Sequence, residues 1–324
     1  MKILLLQLDG KLPNIALMRI AAHHSGDEIM LRRGGERELW DEPWNQVYAS
    51  AIFLKTRPAI DRVLREYPGA IIGGTGVDLA RNLEEFGITT LKQDYSVYPD
   101  FPQSIGFTQR GCRLRCSFCV VPQKEGAMRG EQSVYDIWRG EPWPRQLVLL
   151  DNDFFGQPAW RERHREIVDG GFQVSFCQGI NARFLTDEAA ESVASMNYRS
   201  SNMRERRIYT AWDNRKDEER LFAGLNRLVK YGVKPDHIMV YMLCGYWPGE
   251  THADREYRRS KLREFGADPY PIPYQRTPEL IGFQRWVVGA YDKRIPWEEW
   301  AGAVYRPEKL RTPISLPLFE EVIE

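Results

Sequence analysis

The chain is constrained most by one recurring unit, a short continuous apolar run that ends in a polar or glycine-containing segment and leads into helical spacing. Residues 3–8 are the first such run. With no polar alternation, it suits a parallel strand buried on both faces. Pro13 then starts a pattern in which Ile15, Leu17, Met18, Ile20 and Ala21 recur near the helical period. Residues 28–31 and 47–54 predict further strands, and Pro58 opens a helix through Ile60, Val63 and Leu64. A strand over residues 70–74 closes in the turn Gly73-Gly74-Thr75-Gly76. From Pro99 a proline-marked, aromatic stretch leads to a cysteine cluster, after which the alternation resumes. Strands are expected at 146–150, 173–177, 207–211 and 237–244, with helices at 186–196 and 218–231 between them. Strands alternating with helices predict an α/β protein with doubly wound parallel sheets. Ligands of such folds sit beyond the carboxyl ends of the strands. Those ends carry Asp151-Asn152-Asp153, Gln178-Gly179, Asp213-Asn214 and Gly245-Tyr246.

Composition narrows the partners. The 324 residues suit two domains or one large domain with extensions, and with 43% apolar and 12% aromatic residues they can bury a sizeable core. Basic and acidic side chains balance at 45 each, which gives no electrostatic reason to wrap nucleic acid or bind an anionic membrane. The local basic run Arg204, Arg206, Arg207 reads as a solvated loop or helix end. No segment reaches the ~18 apolar residues of a membrane span. The apolar opening is stopped by Asp9 and Lys11, too soon for a signal peptide. A soluble, cytoplasmic protein is expected.

Five cysteines are present, three of them within eight residues, while Cys177 and Cys244 stand alone in apolar runs. An odd, clustered set is not a secreted disulfide framework. In Gly111-Cys112-Arg113-Leu114-Arg115-Cys116-Ser117-Phe118-Cys119, three thiolates at intervals of four and three can wrap a small inorganic cluster from one loop. A [4Fe-4S] cluster normally takes four cysteines, so a local three leaves one iron open to a small molecule. A zinc site with a distant fourth ligand is the alternative. Zinc more often uses two separated Cys-x-x-Cys knuckles, and there is no second knuckle here. The histidines at 23, 24, 164, 237 and 252 have no metal-binding spacing.

This Cys-x3-Cys-x2-Cys motif, with Phe118 just before its last cysteine, resembles the signature of the radical S-adenosylmethionine (radical SAM) superfamily. Thr108-Gln109-Arg110-Gly111-Cys112 and Cys119-Val120-Val121-Pro122 most resemble the branch containing methylthiotransferases and cobalamin-linked members. The resemblance covers about residues 100–275 and implies a partial (β/α)6 barrel behind a Rossmann-like, cobalamin-binding-like N-terminal domain. The expected domains are then 1–98, 99–275 and a C-terminal extension, 276–324, packed by Trp286, Trp297, Trp300 and Tyr305. It further implies a [4Fe-4S] cluster on Cys112, Cys116 and Cys119 whose open iron chelates S-adenosylmethionine. Reductive cleavage would give a 5'-deoxyadenosyl radical for an unidentified substrate, with electrons from a partner such as flavodoxin or ferredoxin.

The family's other landmarks fall on Asp151 and Asn152, in place of its Gly-Gly-Glu, and on Gln178, Asn181, Arg183 and Asp213 for the ribose and carboxylate. Arg183 suits the carboxylate best because a guanidinium is a planar fork. Gly245 would let the backbone approach the adenine, and Phe118 borders the cluster. Gly34-Gly35-Glu36 precedes the cysteines and is out of chain order. The resemblance also brings in cobalamin at the Gly73–Gly76 turn, although the chain lacks Asp-x-His-x-x-Gly and the N-terminal cysteines of methylthiotransferases. The competing expectation is a non-catalytic metal protein, a zinc or iron–sulfur interaction module or an electron carrier. A carrier would more naturally keep all four ligands local.

Overall fold

The computed structural model describes residues 1–38, 41 and 43–303, which divide into two compact units, Met1–Pro102 and a second beginning at Gln103. Tyr305 lies outside the described residues. The first unit runs β1 (Lys2–Gln7), α1 (Ile15–His23), β2 (Glu28–Arg33), β3 (Gln46–Ser50), α2 (Arg57–Glu66) and β4 (Ile71–Gly73). Its four strands are parallel in the order β2-β1-β3-β4. β1 is buried on both faces, as its unbroken apolar run requires. Leu4 and Leu6 pack with Val47, Ile60 and Val63 on the α2 side, and Ile3 and Leu5 with Leu17, Ile20 and Ala21 on the α1 side. Asn14 caps α1 by accepting from the Leu17 N–H at 3.2 Å.

The strand expected over 47–54 ends at Ser50. The Asp9 carboxylate accepts the N–H groups of Ile52 (2.8 Å) and Phe53 (3.0 Å) and the Thr56 hydroxyl (2.5 Å), turning the chain out of the sheet. The glycine turn packs against this same segment. A Cβ on Gly74 would stand 2.2 Å from the Ala51 carbonyl oxygen, and one on Gly76 2.5 Å from that of Phe53. Neighbouring backbone fills the space beside these two glycines, which is why the turn needs them.

The second unit begins with β5 (Ser104–Gly106), β6 (Gln109–Arg110), α3 (Val121–Lys124), β7 (Arg129–Gly130) and α4 (Val134–Ile137). Then follow β8 (Gln146–Leu149), α5 (Trp160–Asp169), β9 (Gln173–Phe176), α6 (Asp187–Ser195), β10 (Asn197–Tyr198) and β11 (Ile208–Ala211). The remainder is α7 (Glu218–Lys230), β12 (Ile238–Cys244), α8 (His252–Phe265), β13 (Asp268–Pro273), α9 (Pro278–Val288) and α10 (Trp297–Ala303).

The long strands form two parallel sheets, ordered β10-β9-β8-β5 and β11-β12-β13, while β6 and β7 form a short antiparallel pair. No closed barrel ladder joins the two sheets among the described residues. They meet where the Ile180 N–H donates to the Tyr209 carbonyl at 2.8 Å. One core holds Leu147, Leu149, Val174, Phe176, Val240 and Met242 with Leu221 and Leu225 of α7 and Phe283, Trp286 and Trp300 of α9 and α10. The tryptophans of the expected extension therefore pack into the core of the second unit. Strand alternation sends Ser175, Cys177, Tyr209 and Tyr241 to the opposite face, where the rings of Tyr209 and Tyr241 stack 5.7 Å apart. Among the described residues, no helix is long and apolar enough to cross a membrane.

Candidate functional site

The cysteine loop, residues 111–120, leaves β6 and enters α3. Its first leg is fixed from the end of β8. Asp151 accepts the N–H groups of Thr108 (2.7 Å) and Gln109 (3.3 Å) and the Thr108 hydroxyl, which in turn accepts from Gln157 at 3.0 Å. Asn152 donates to Glu125 at 2.8 Å, and the same carboxylate accepts the Gly111 N–H at 2.8 Å and pairs with Arg110 at 2.9 Å. Gly111 has φ +75°, and a Cβ there would lie 2.5 Å from the Ala127 carbonyl oxygen, so only glycine fits where the loop departs. Asp151 and Asn152, placed by the sequence against the cofactor, thus spend their polar groups on the loop itself.

Cys112, Cys116 and Cys119 are half-buried free thiols. The Cys119 N–H donates to the Cys116 carbonyl at 3.0 Å, which tightens the second half of the loop. The Leu114 N–H donates to Cys112 Sγ at 3.4 Å, and the positive charge of Arg183 works against the rise at Cys116. Burial pushes the Cys112 thiol up to about 11, reinforced by Asp153 and by the other two cysteines, and burial also raises Cys116 and Cys119. Left alone the three remain neutral thiols near pH 7. A bound cationic centre would favour their thiolate forms. Three soft sulfur donors on one loop, with the Leu114 N–H on Cys112 and the Arg183 charge acting on Cys116, fit an iron–sulfur cluster. Among the described residues no three His, Cys, Asp or Glu side chains converge to hold a single metal ion. A cluster takes each thiolate on a separate iron and does not need that convergence.

Phe118 anchors the loop to the end of β12. Its ring meets Tyr246 edge-on at 5.4 Å and Trp247 at 6.5 Å, and Tyr246 in turn meets Tyr274 at 4.8 Å. The Trp247 indole donates to the Asp213 carbonyl at 2.7 Å, and the Asp213 carboxylate accepts the Leu243 N–H at 3.3 Å. Burial pushes the Asp213 carboxyl up to about 6 against the opposing pull of Arg183. Arg183 lies in the tight turn 182–184 after β9, bonded to Asp217 (2.6 Å) and to Asn181 (3.2 Å). Gln178 is half-buried at the end of β9 and makes no side-chain hydrogen bond among the described residues. Gly245, at φ +81°, donates its N–H to the Glu250 carboxylate.

The fold therefore gathers the three cysteines, Phe118, Arg183 and Asp213, keeps Gly245 beside them through Tyr246, and sets Asp151 and Asn152 behind the loop. It adds a pair the sequence reading missed: Arg113, inside the motif, contacts Asp153 at 2.7 Å. Asp153 is 1% exposed, and the acidic strand end opposite a motif arginine was the available signal. Arg206 and Arg207 are occupied structurally, one over the Tyr198 ring at 4.0 Å and the other on Asp268 at 2.7 Å. Cys177 and Cys244 are fully buried, and loss of solvation pushes each thiol up to about 12.

Asp151 makes the loop's anchorage pH-sensitive. Burial raises its carboxyl to about 7 in the fold, above the ~3.9 of an unfolded chain, despite three donors that favour the anion. Between those values the folded state holds the extra proton, so this group's contribution to stability falls as pH rises from about 4 to about 7. Asp151→Asn removes that dependence. The stability of the parent relative to this variant is expected to be greater at pH 5 than at pH 8 in paired thermal melts. An unchanged difference would show that Asp151 does not titrate in this range.

No family model, curated protein or solved structure matches this chain.

Proposed function

We propose that this chain is a radical SAM enzyme, with a [4Fe-4S] cluster on Cys112, Cys116 and Cys119 and S-adenosylmethionine at the fourth iron. One observation carries the reading: the three-cysteine loop is braced at the carboxyl ends of strands from two adjoining parallel sheets, where α/β folds place their ligands. In this reading the strands from β5 to β13 are the partial barrel. Arg183 would take the cofactor's carboxylate, Gln178, Asn181 and Asp213 would serve its ribose or carboxylate, and the backbone at Gly245 would approach its adenine. When bound, the cluster supplies the electron that breaks a sulfur–carbon bond of S-adenosylmethionine. The protein holds the sulfurs, supplies the Leu114 N–H to Cys112, and braces the loop through the rings of Phe118, Tyr246 and Trp247. Its substrate is unassigned, and its electrons come from a reductant such as a flavodoxin or ferredoxin.

Anaerobic reconstitution with iron and sulfide tests this directly. About four irons with labile sulfide are expected per chain. S-adenosylmethionine should then perturb the cluster spectrum, and dithionite should yield 5'-deoxyadenosine. One tightly held zinc in a protein that refuses iron would instead identify a structural metal site and overturn the proposal.

A further inference from the structure

We infer that the buried Glu250–Arg258 ion pair is a positioning device for the cysteine loop, acting through the turn 245–247 and Phe118. The inference rests on the functional reading only for what the loop holds. Its contacts stand on their own.

Arg258 lies on α8 with its side chain 2% exposed. Its guanidinium donates to the Trp212 carbonyl at 2.8 Å and the Leu243 carbonyl at 3.0 Å, tying the ends of β11 and β12 together, and it pairs with Glu250. Strand-end carbonyls have lost their ladder partners, and a planar fork with several donors can satisfy two at once. The other Glu250 oxygen accepts the Gly245 N–H, which fixes the left-handed turn that begins there. Arg255 lies 3.8 Å from the same carboxylate and pairs with Glu279.

The turn so fixed presents Tyr246 and Trp247 to Phe118, and Trp247 is pinned a second time by the Asp213 carbonyl. Phe118 lies between Cys116 and Cys119 in sequence. Direct contacts therefore run from Arg258 through Glu250, Gly245 and the Tyr246–Trp247 rings to the loop. A buried ion pair contributes little net stability compared with apolar residues of the same volume, because desolvation offsets the attraction. What this pair provides is geometry: it dictates where the turn that starts at Gly245 points its two rings.

The test uses the reduced full-length apoprotein and site-resolved alkylation by iodoacetamide, read by mass spectrometry. The double variant Glu250→Gln/Arg258→Met removes both charges and leaves no unpaired ion buried. Cys116 and Cys119 are expected to alkylate about tenfold faster than in the parent, the signature of local rather than global opening. Cys177, buried just beyond β9, should keep its protection. Trp247→Ala leaves the ion pair intact and cuts the relay one step later, so it should give the same selective acceleration even if the double variant fails to fold. Unchanged rates at Cys116 and Cys119 in a folded variant would overturn the inference. An equal rise at Cys177 would also overturn it, since that pattern marks general loosening. After reconstitution, the folded variants should bind S-adenosylmethionine about tenfold more weakly. If the parent itself binds none, the functional reading has failed, while the alkylation pattern still decides the positioning role.

Discussion

Cys116→Ala is expected to lower 5'-deoxyadenosine formation by at least about a hundredfold and to leave the reconstituted protein short of its iron. Groups that merely support a metal ligand commonly cost 10- to 100-fold on removal, and a ligand should cost at least as much. Cys116 is the most informative of the three because the Arg183 charge acts on its thiol, so the same position joins the metal site to the residue expected to take the cofactor's carboxylate. Replacing it leaves a small cavity at a half-buried loop position, and the fold should survive, as a circular dichroism melt will check. Cys177→Ala makes the matching control: its sulfur is fully buried on the far side of β9 from the helices, and iron content should stay at the parent level. Full activity in Cys116→Ala would remove the central claim. Equal losses in both variants would point to a general effect of cysteine removal.

Gly224→Ala should be among the most destabilising single-methyl additions to the second unit. Gly224 lies in α7 against the turn 182–184, and a Cβ there would fall 1.9 Å from the Ala182 carbonyl oxygen. That neighbour is backbone, with no side-chain rotation to relieve the overlap, so the helix or the turn has to shift. Overpacking of this kind typically costs about 1–3 kcal/mol, and backbone opposition places this case at the upper end. For a unit of this size, about 3 kcal/mol corresponds to a melting temperature lower by roughly 6–12 °C. Gly130→Ala meets nothing within 4 Å at an ordinary backbone angle and should change stability by no more than about 0.5 kcal/mol. The same turn carries Arg183, so Gly224→Ala should also weaken the spectral response to S-adenosylmethionine in protein that remains folded. A melting temperature matching that of Gly130→Ala would mean that α7 does not press on the turn as described.

Elements with an apolar signature were legible in the sequence, and elements with a polar inner face were not. β1, β8, β9, β11 and β12 fall within a residue or so of the expected runs because a strand buried on both faces writes its burial directly into consecutive residues. α8 carries no such signature, since two of its three buried residues are arginines, Arg255 and Arg258. Their burial makes sense only once Glu250, Glu279 and the ends of β11 and β12 are in place. β13 was hidden by Pro269, Pro271 and Pro273, which usually argue against a strand. Its place at the edge of the β11-β12-β13 sheet explains them: prolines of one parity withhold N–H groups only toward the open side, while the intervening residues keep theirs.

By itself, the sequence determined what depends on neighbours along the chain: the parallel α/β class, the helix and strand positions with apolar periodicity, and three cysteines close enough in sequence to serve one loop. Tertiary structure alone decided what each polar residue does, because those partners are far apart in sequence. Asp151 reads as a ligand-facing carboxylate until Thr108, 43 residues earlier, is found to hold both its oxygens. Arg113 and Asp153 meet across 40 residues, and Arg258 reaches Trp212 across 46. A buried charge must find a partner wherever the fold supplies one, and no local pattern encodes which one that will be.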